Sequence, residues 1–232
     1  MPHSVRLWLG LCLASGLLCA QPAARVRASV ILPRDRYIWP NGVIPYVIDA
    51  QMPNRQAALD AMQHWSDRTP IRFVERQSEA NFVHFRAAGT QCLSRVGMVG
   101  GEQFIDLPPA VCSLGDTIHE IGHTVGLFHE QSRADRDRWV RFYPENMIKS
   151  LIPQYTQQIA GGDDAGLFDY GAIMMYPRWA SARAQQLTTL ESLPAGLDFG
   201  QREGLSPQEI ETVRRWYAPP SGRTVLATSP AG

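Results

Sequence analysis

Residues 119–129 read His119-Glu120-Ile121-Gly122-His123-Thr124-Val125-Gly126-Leu127-Phe128-His129. The spacing of His119 and His123 predicts a helix with both imidazoles on one face, about 5–6 Å apart at Cβ. Two rings so placed can grip one ion, and Glu120 then stands beside that ion without binding it. Gly126 can take the left-handed conformation that ends a helix, so the chain turns there and returns His129 as a third nitrogen ligand. Three protein ligands leave a fourth position for water, which is the arrangement of a catalytic zinc site. A bare HExxH admits a plainer reading. The histidines would be satisfied within the helix, and Thr117 with Glu120 would form a capping box that gives Glu120 a structural role only. The glycine seven places and the histidine ten places after His119 complete a longer pattern and select one catalytic Zn2+. His64 and His84 are read as surface or core residues.

Working outward, residues 43–49 (VIPYVID) predict a strand from their β-branched and aromatic content, with Pro45 pointing to an edge position. Residues 54–67 predict a helix capped by Asn54, with Leu59, Met62 and Trp65 at helical spacing. Residues 71–75 and 82–86 predict strands, and 97–106 a turn at Gly100-Gly101 followed by a strand. The metal motif sits on a second helix over 117–127. Residues 163–176 read as a loop with an apolar end. A final helix over 206–217 has Ser206 as N-cap, Pro207 at its first position and Glu209 completing a capping box. Strands dominate before the second helix, and loops and helix follow it. This suggests one α+β domain in two lobes with a cleft between them.

Lys+Arg and Asp+Glu both number 22, so the formal net charge is zero. No basic excess points to nucleic acid, and no basic amphipathic run points to a membrane surface. Partner choice therefore rests with a site. Arg6 followed by the apolar run 7–18 has the form of a secretory leader, too short for a comfortable membrane span. Cleavage is expected after Ala20, which places the mature chain outside the cytoplasm, secreted or periplasmic. The expected organisation is a leader over 1–20, a short pro-piece or arm over 21–29, a protease domain over 30–217 and a disordered tail over 218–232. Cys12 and Cys19 fall in the leader, leaving Cys92 and Cys112. In an exported domain these are most simply a disulfide, worth roughly 3 kcal/mol; two buried thiols are the alternative if export is wrong.

The residue after the third histidine narrows the class. The run His129-Glu130-Gln131-Ser132-Arg133-Ala134-Asp135-Arg136-Asp137 closely resembles the astacin family of metzincin peptidases. So do Trp39-Pro-Asn-Gly-Val-Ile-Pro-Tyr46, Ile71-Arg-Phe-Val74, Gly100-Gly-Glu-Gln103 and Asp169-Tyr-Gly-Ala-Ile-Met-Met-Tyr-Pro177, which extend the resemblance over roughly residues 28–217. It implies a twisted, mostly parallel sheet with an antiparallel edge strand, the zinc helix above the cleft, and an irregular lower lobe ending in a helix. It also implies a zinc endopeptidase acting on proteins or peptides. Glu120 is the general base. Tyr176 ligates the resting metal and then donates to the reacting oxyanion. Met174 forms the floor beneath the ligands, and Glu130 pairs with the mature N-terminal ammonium, exposed near residues 28–30 by a cut after Arg27. Substrate is expected to lie extended along an edge strand within 97–106, and the protein to act as a monomer. Three departures stand out. Met175 occupies a position where the family commonly has His. Pro70 and Ala218 stand where a second disulfide is usual, and no inhibitory F-x-G-D motif precedes residue 37.

Overall fold

The computed structural model describes residues 30–31 and 37–218. The expected leader, the pro-piece, the cut after Arg27 and the tail from 219 onward lie outside the described residues. In chain order the elements are β1 (Val30–Ile31), β2 (Val43–Ile48), α1 (Arg55–Arg68), β3 (Arg72–Glu75), β4 (Phe82–Arg86), β5 (Glu102–Asp106), α2 (Leu114–Val125), β6 (Val140–Phe142), β7 (Asp163–Asp164), β8 (Leu190–Ser192) and α3 (Pro207–Trp216).

The upper lobe is a four-stranded sheet in the order β3-β2-β4-β5, with every neighbouring pair parallel. Its antiparallel component is a single bridge of Leu93 against Asp106, beyond the β5 edge. Period-two alternation sends Ile44, Ile48, Val83, Phe85 and Ile105 to one face, where Ala58, Ala61, Met62 and Trp65 of α1 meet them in one apolar core. The opposite face is mixed: His84 lies 2.8 Å from both Asp49 and Glu102, with the Phe104 ring beside it. The edge position expected for residues 43–49 is corrected, because β2 lies between β3 and β4. Tyr46 O accepts from Arg76 N–H on the β3 side, and Asp49 N–H donates to Phe85 O on the β4 side. Alternation therefore turns the Pro45 nitrogen toward β4, whose ladder begins one residue later at Tyr46↔Val83. No ladder donor is needed at that point, so an interior strand tolerates the proline.

The lower lobe has little regular structure. Short 3-10 turns follow α2, and β6 pairs antiparallel with β8. A second apolar cluster holds Val140, Met147, Tyr155, Phe168, Ala172, Met175 and Leu190. α3 returns to the upper core through Val213. Its Ser206–Glu209 capping box forms as read from sequence. Helix α1 begins at Arg55, but Asn54 makes no side-chain cap; its Nδ2 donates instead to Leu107 O at 3.4 Å. Cys92 and Cys112 are joined, tying the segment before the sheet edge to the start of α2. Near Pro70, one of the two positions without the second bridge, the Tyr217 ring packs against Gly42, and its hydroxyl donates to Val125 O at 2.8 Å.

Candidate metal centre and cleft

Helix α2 starts three residues before the expected Thr117. Ser113 caps it, with Asp116 completing the box, and Thr117 lies inside the helix with its hydroxyl on Ser113 O. This removes the reading in which Glu120 serves only as a capping residue. Gly126 ends the helix at φ 117°, in the left-handed region that favours glycine. The chain then swings back and brings His129 to the first two histidines.

His129 Nε2 lies 3.2 Å from His119 Nε2 and 3.1 Å from His123 Nε2. His119 Nδ1–H donates to Ile173 O and His123 Nδ1–H to Leu127 O, both at 2.8 Å. A carbonyl can only accept, so each neutral ring carries its proton on Nδ1 and turns an Nε2 lone pair inward. Burial keeps the rings neutral. It holds His119 and His129 well below the usual imidazole range, with neighbouring imidazoles adding to the effect, and pushes His123 down to about 4. Lone pairs converging so closely repel one another unless an electrophile lies between them. The two edges that meet at His129, 3.2 and 3.1 Å, suit corners of a tetrahedron with bonds of about 2.0–2.1 Å, and all three ligand nitrogens lie within 4.8 Å of one another. The donor set therefore fits zinc.

Glu120 follows the first histidine and is 6% exposed, and its Oε2 has no hydrogen-bond partner among the described residues. Burial raises its pKa to about 8, with Asp116 adding and Arg202 opposing. The Tyr176 ring lies 4.1 Å from that of His129. Burial raises the phenol pKa, so the group stays protonated and able to donate. Met174 lies under α2: a Cβ added to Gly122 would come within 2.6 Å of its Sδ. That close approach explains a glycine in a helix interior, where it costs about 1 kcal/mol relative to alanine. Glu130 is fully buried, and burial raises its pKa well above the usual carboxylate range, with Arg133 opposing. Its Oε1 accepts from Asp169 N–H at 2.8 Å, while Oε2 has no partner among the described residues.

His119, Glu120, His123, His129 and Tyr176 open on a cavity of about 380 Å³ lined above by Gln91, Cys92, Leu93, Ser94 and Val96, and below by Pro153 and Gln154. The expected cleft wall within 97–106 is thus corrected. β5 is screened from the cavity by the segment that bridges it at Leu93.

Sequence reading missed several supports. Trp65 Nε1–H donates to Ile118 O at 3.0 Å and Trp39 Nε1–H to Thr124 O at 2.9 Å, so two indoles fix α2 from outside. Gln131 Oε1 accepts from Tyr176 N–H at 3.1 Å. Arg202 lines the cavity and donates to Ile173 O and Met175 O, at 3.0 and 3.1 Å. No local pattern marks these contacts, since each joins residues far apart in the chain. The glycine inside HEIGH was the one available signal of a close approach.

A family model described as Astacin, a peptidase family, matches residues 32–218. The chain belongs to the astacin family. Among its relatives in that family, Nematocyst expressed protein 6 of Nematostella vectensis is 36% identical over 208 residues, covering 85% of this chain and 70% of that protein. Tolloid-like protein 2 of Homo sapiens is 35% identical over 217 residues, 88% of this chain, which spans only 21% of that longer protein. High choriolytic enzyme 1, a hatching enzyme zinc-protease from Oryzias latipes, superposes with a TM-score of 0.73 at 31% identity, over 78% of this chain and 94% of that one. Myroilysin, at 18% identity and a TM-score of 0.56, shares the fold. As an astacin, the chain is a zinc metalloendopeptidase with the two-lobed α+β architecture that its sequence implied. No helix among the described residues is long and apolar enough to cross a membrane.

Proposed function

We propose that this astacin is exported and cuts protein chains internally, with His119, His123 and His129 holding one zinc ion and Glu120 acting as general base. The observation that carries the reading is the convergence of three imidazole nitrogens, with His129 Nε2 3.2 and 3.1 Å from those of His119 and His123, beside the helix that also carries Glu120, whose Oε2 has no hydrogen-bond partner among the described residues. Zinc held there supplies Lewis acidity, which acidifies water and polarises a carbonyl. Glu120 takes the proton of the attacking water and passes it to the leaving amine. The Tyr176 hydroxyl donates to the developing oxyanion. Met174 keeps the floor apolar and closely packed.

The substrate lies extended along residues 91–96. Leu93 directs both its backbone groups at Asp106, so alternation turns those of Cys92 and Ser94 outward, where a peptide main chain can pair with them. The Glu130 Oε2 receives the ammonium of the mature N-terminus, which offsets the cost of burying that carboxylate. The active unit is the monomeric domain over 30–217, following a leader over 1–20 and an arm over 21–29 and preceding the tail, and it works in the periplasm or outside the cell.

Zinc-replete protein should carry one zinc per chain and cleave casein in a chelator-sensitive manner. Glu120→Ala should keep the zinc and lose about 10²–10⁴ in rate. A zinc content near zero, or wild-type cleavage by that variant, overturns the reading.

A further inference from the structure

We propose that Glu209, on α3, is a positioning residue for the metal centre: its carboxylate holds the peptide group that orients His119, so that a carboxylate–peptide–histidine chain runs from the C-terminal helix to the ligand set. The inference rests on the preceding assignment of His119 as a ligand.

The turn over 172–176 has no ladder to satisfy its backbone. Ile173 and Met174 are both 0% exposed, so their N–H groups need partners inside the protein. Glu209 supplies both. Its Oε2 accepts from Ile173 N–H and its Oε1 from Met174 N–H, each at 3.1 Å. Oε2 also accepts from Ser206 N–H at 2.9 Å, closing the capping box of α3. One fully buried carboxylate thus caps its own helix and suspends the turn.

The Met174 N–H and the Ile173 C=O belong to the same planar peptide group. At its far end, Ile173 O accepts from His119 Nδ1–H at 2.8 Å. A carboxylate on the N–H end enriches the carbonyl oxygen and strengthens the bond that it receives, because hydrogen bonds in series polarise one another. His119 is held in the tautomer that offers Nε2 to a metal, and its basicity rises, as it does where a carboxylate bonds a ligand imidazole directly. Arg202 donates to the same carbonyl at 3.0 Å and completes its second lone pair. Three backbone donors favour the ionised carboxylate, while burial lifts its pKa to about 7.

A purely structural cap predicts something different, and two variants separate the cases. Glu209→Gln keeps the volume but loses the charge and one acceptor. Val213→Ala weakens the same helix in the core without touching the turn. Zinc affinity is measured by competition with a chromophoric chelator, and stability by denaturant titration of the metal-free proteins. Glu209→Gln should bind zinc about 10- to 100-fold more weakly, while Val213→Ala loses stability and keeps the wild-type affinity. Wild-type zinc affinity in Glu209→Gln overturns the proposal, as does an equal loss in Val213→Ala. Should Glu209→Gln fail to fold, amide exchange in the metal-free wild type decides. Ile173 and Met174 should be as protected as α3, and fast exchange at both overturns the proposal. Wild-type protein that binds no zinc would sink the ligand assignment instead, and the exchange result would still report on Glu209.

Discussion

The two lobes are held together by different physics. In the upper lobe, side chains alternate along four strands and recur along α1, and the core between sheet and helices is apolar. In the lower lobe, buried polar groups take the place of ladders. Arg133, 1% exposed, reaches Asp135 through two nitrogens and the carbonyls of Ala165 and Gly166, and lies 3.7 Å from Glu130. Arg136 donates to Gln131 O and Tyr155 O. The proposed catalytic set straddles this difference. α2 brings two histidines and the carboxylate on a regular helix, while His129 and Tyr176 come from irregular backbone fixed by side chains. A rigid geometry can therefore be built without secondary structure, provided that each buried polar backbone group finds a partner.

The difference between the lobes can be tested by mutation. Tyr176→Phe removes one hydroxyl from the lower lobe, and kcat should fall about 10²–10³-fold with zinc content unchanged. An unchanged kcat would leave the lower lobe with no chemical part beyond His129. Arg133→Met removes a buried cation 3.7 Å from Glu130, along with its bonds to Asp135, Ala165 and Gly166, and should cost about 3–5 kcal/mol. Adding Glu130→Gln should recover only the part owed to the buried carboxylate in denaturant titrations, since the lost bonds to Asp135, Ala165 and Gly166 stay lost. In the upper lobe Ile105→Val should cost only about 0.5–1.5 kcal/mol, and nothing polar should rescue it.

Metal-free protein offers a pH test of the junction between the lobes. The His123 pKa is near 4 in the folded state and 6.5 as the unperturbed value, so the unfolded chain binds more protons in that window. Stability linked to His123 is present above pH 6.5 and is lost as pH falls toward 4. The scale is on the order of 3 kcal/mol. In chelator, His123→Gln should lose less stability than wild type across that range, which separates this histidine from the carboxylates that titrate oppositely. Parallel pH profiles would refute the assignment. At the start of α2, Ser113→Ala should cost about 1 kcal/mol.

The elements that the sequence made legible are those governed by local rules. Gly126 ends α2 because a left-handed residue was required, and Ser206, Pro207 and Glu209 begin α3 because each suits its own position. The misreadings share one cause. Pro45 looked like an edge residue because local reasoning sees a missing donor but not the side to which that donor would have pointed. Asn54 looked like a cap, yet its amide reaches Leu107 from another element. The cleft wall was placed at β5 because the Leu93–Asp106 bridge outside it joins segments that no periodicity links.

By itself the sequence determined which side chains can come together at the candidate site. Three histidines and a glutamate at fixed offsets, with glycine where the helix must stop, dictate which atoms can meet, because helical rise and turn geometry are local properties. Only the tertiary structure decided how those atoms are held. The Ile173 and Leu127 carbonyls select the imidazole tautomers, Trp39 and Trp65 clamp α2, and Glu209 reaches the turn from 35 and 36 residues away. Such contacts depend on two distant segments burying polar groups in the same place, and that requirement leaves no period or motif in the chain.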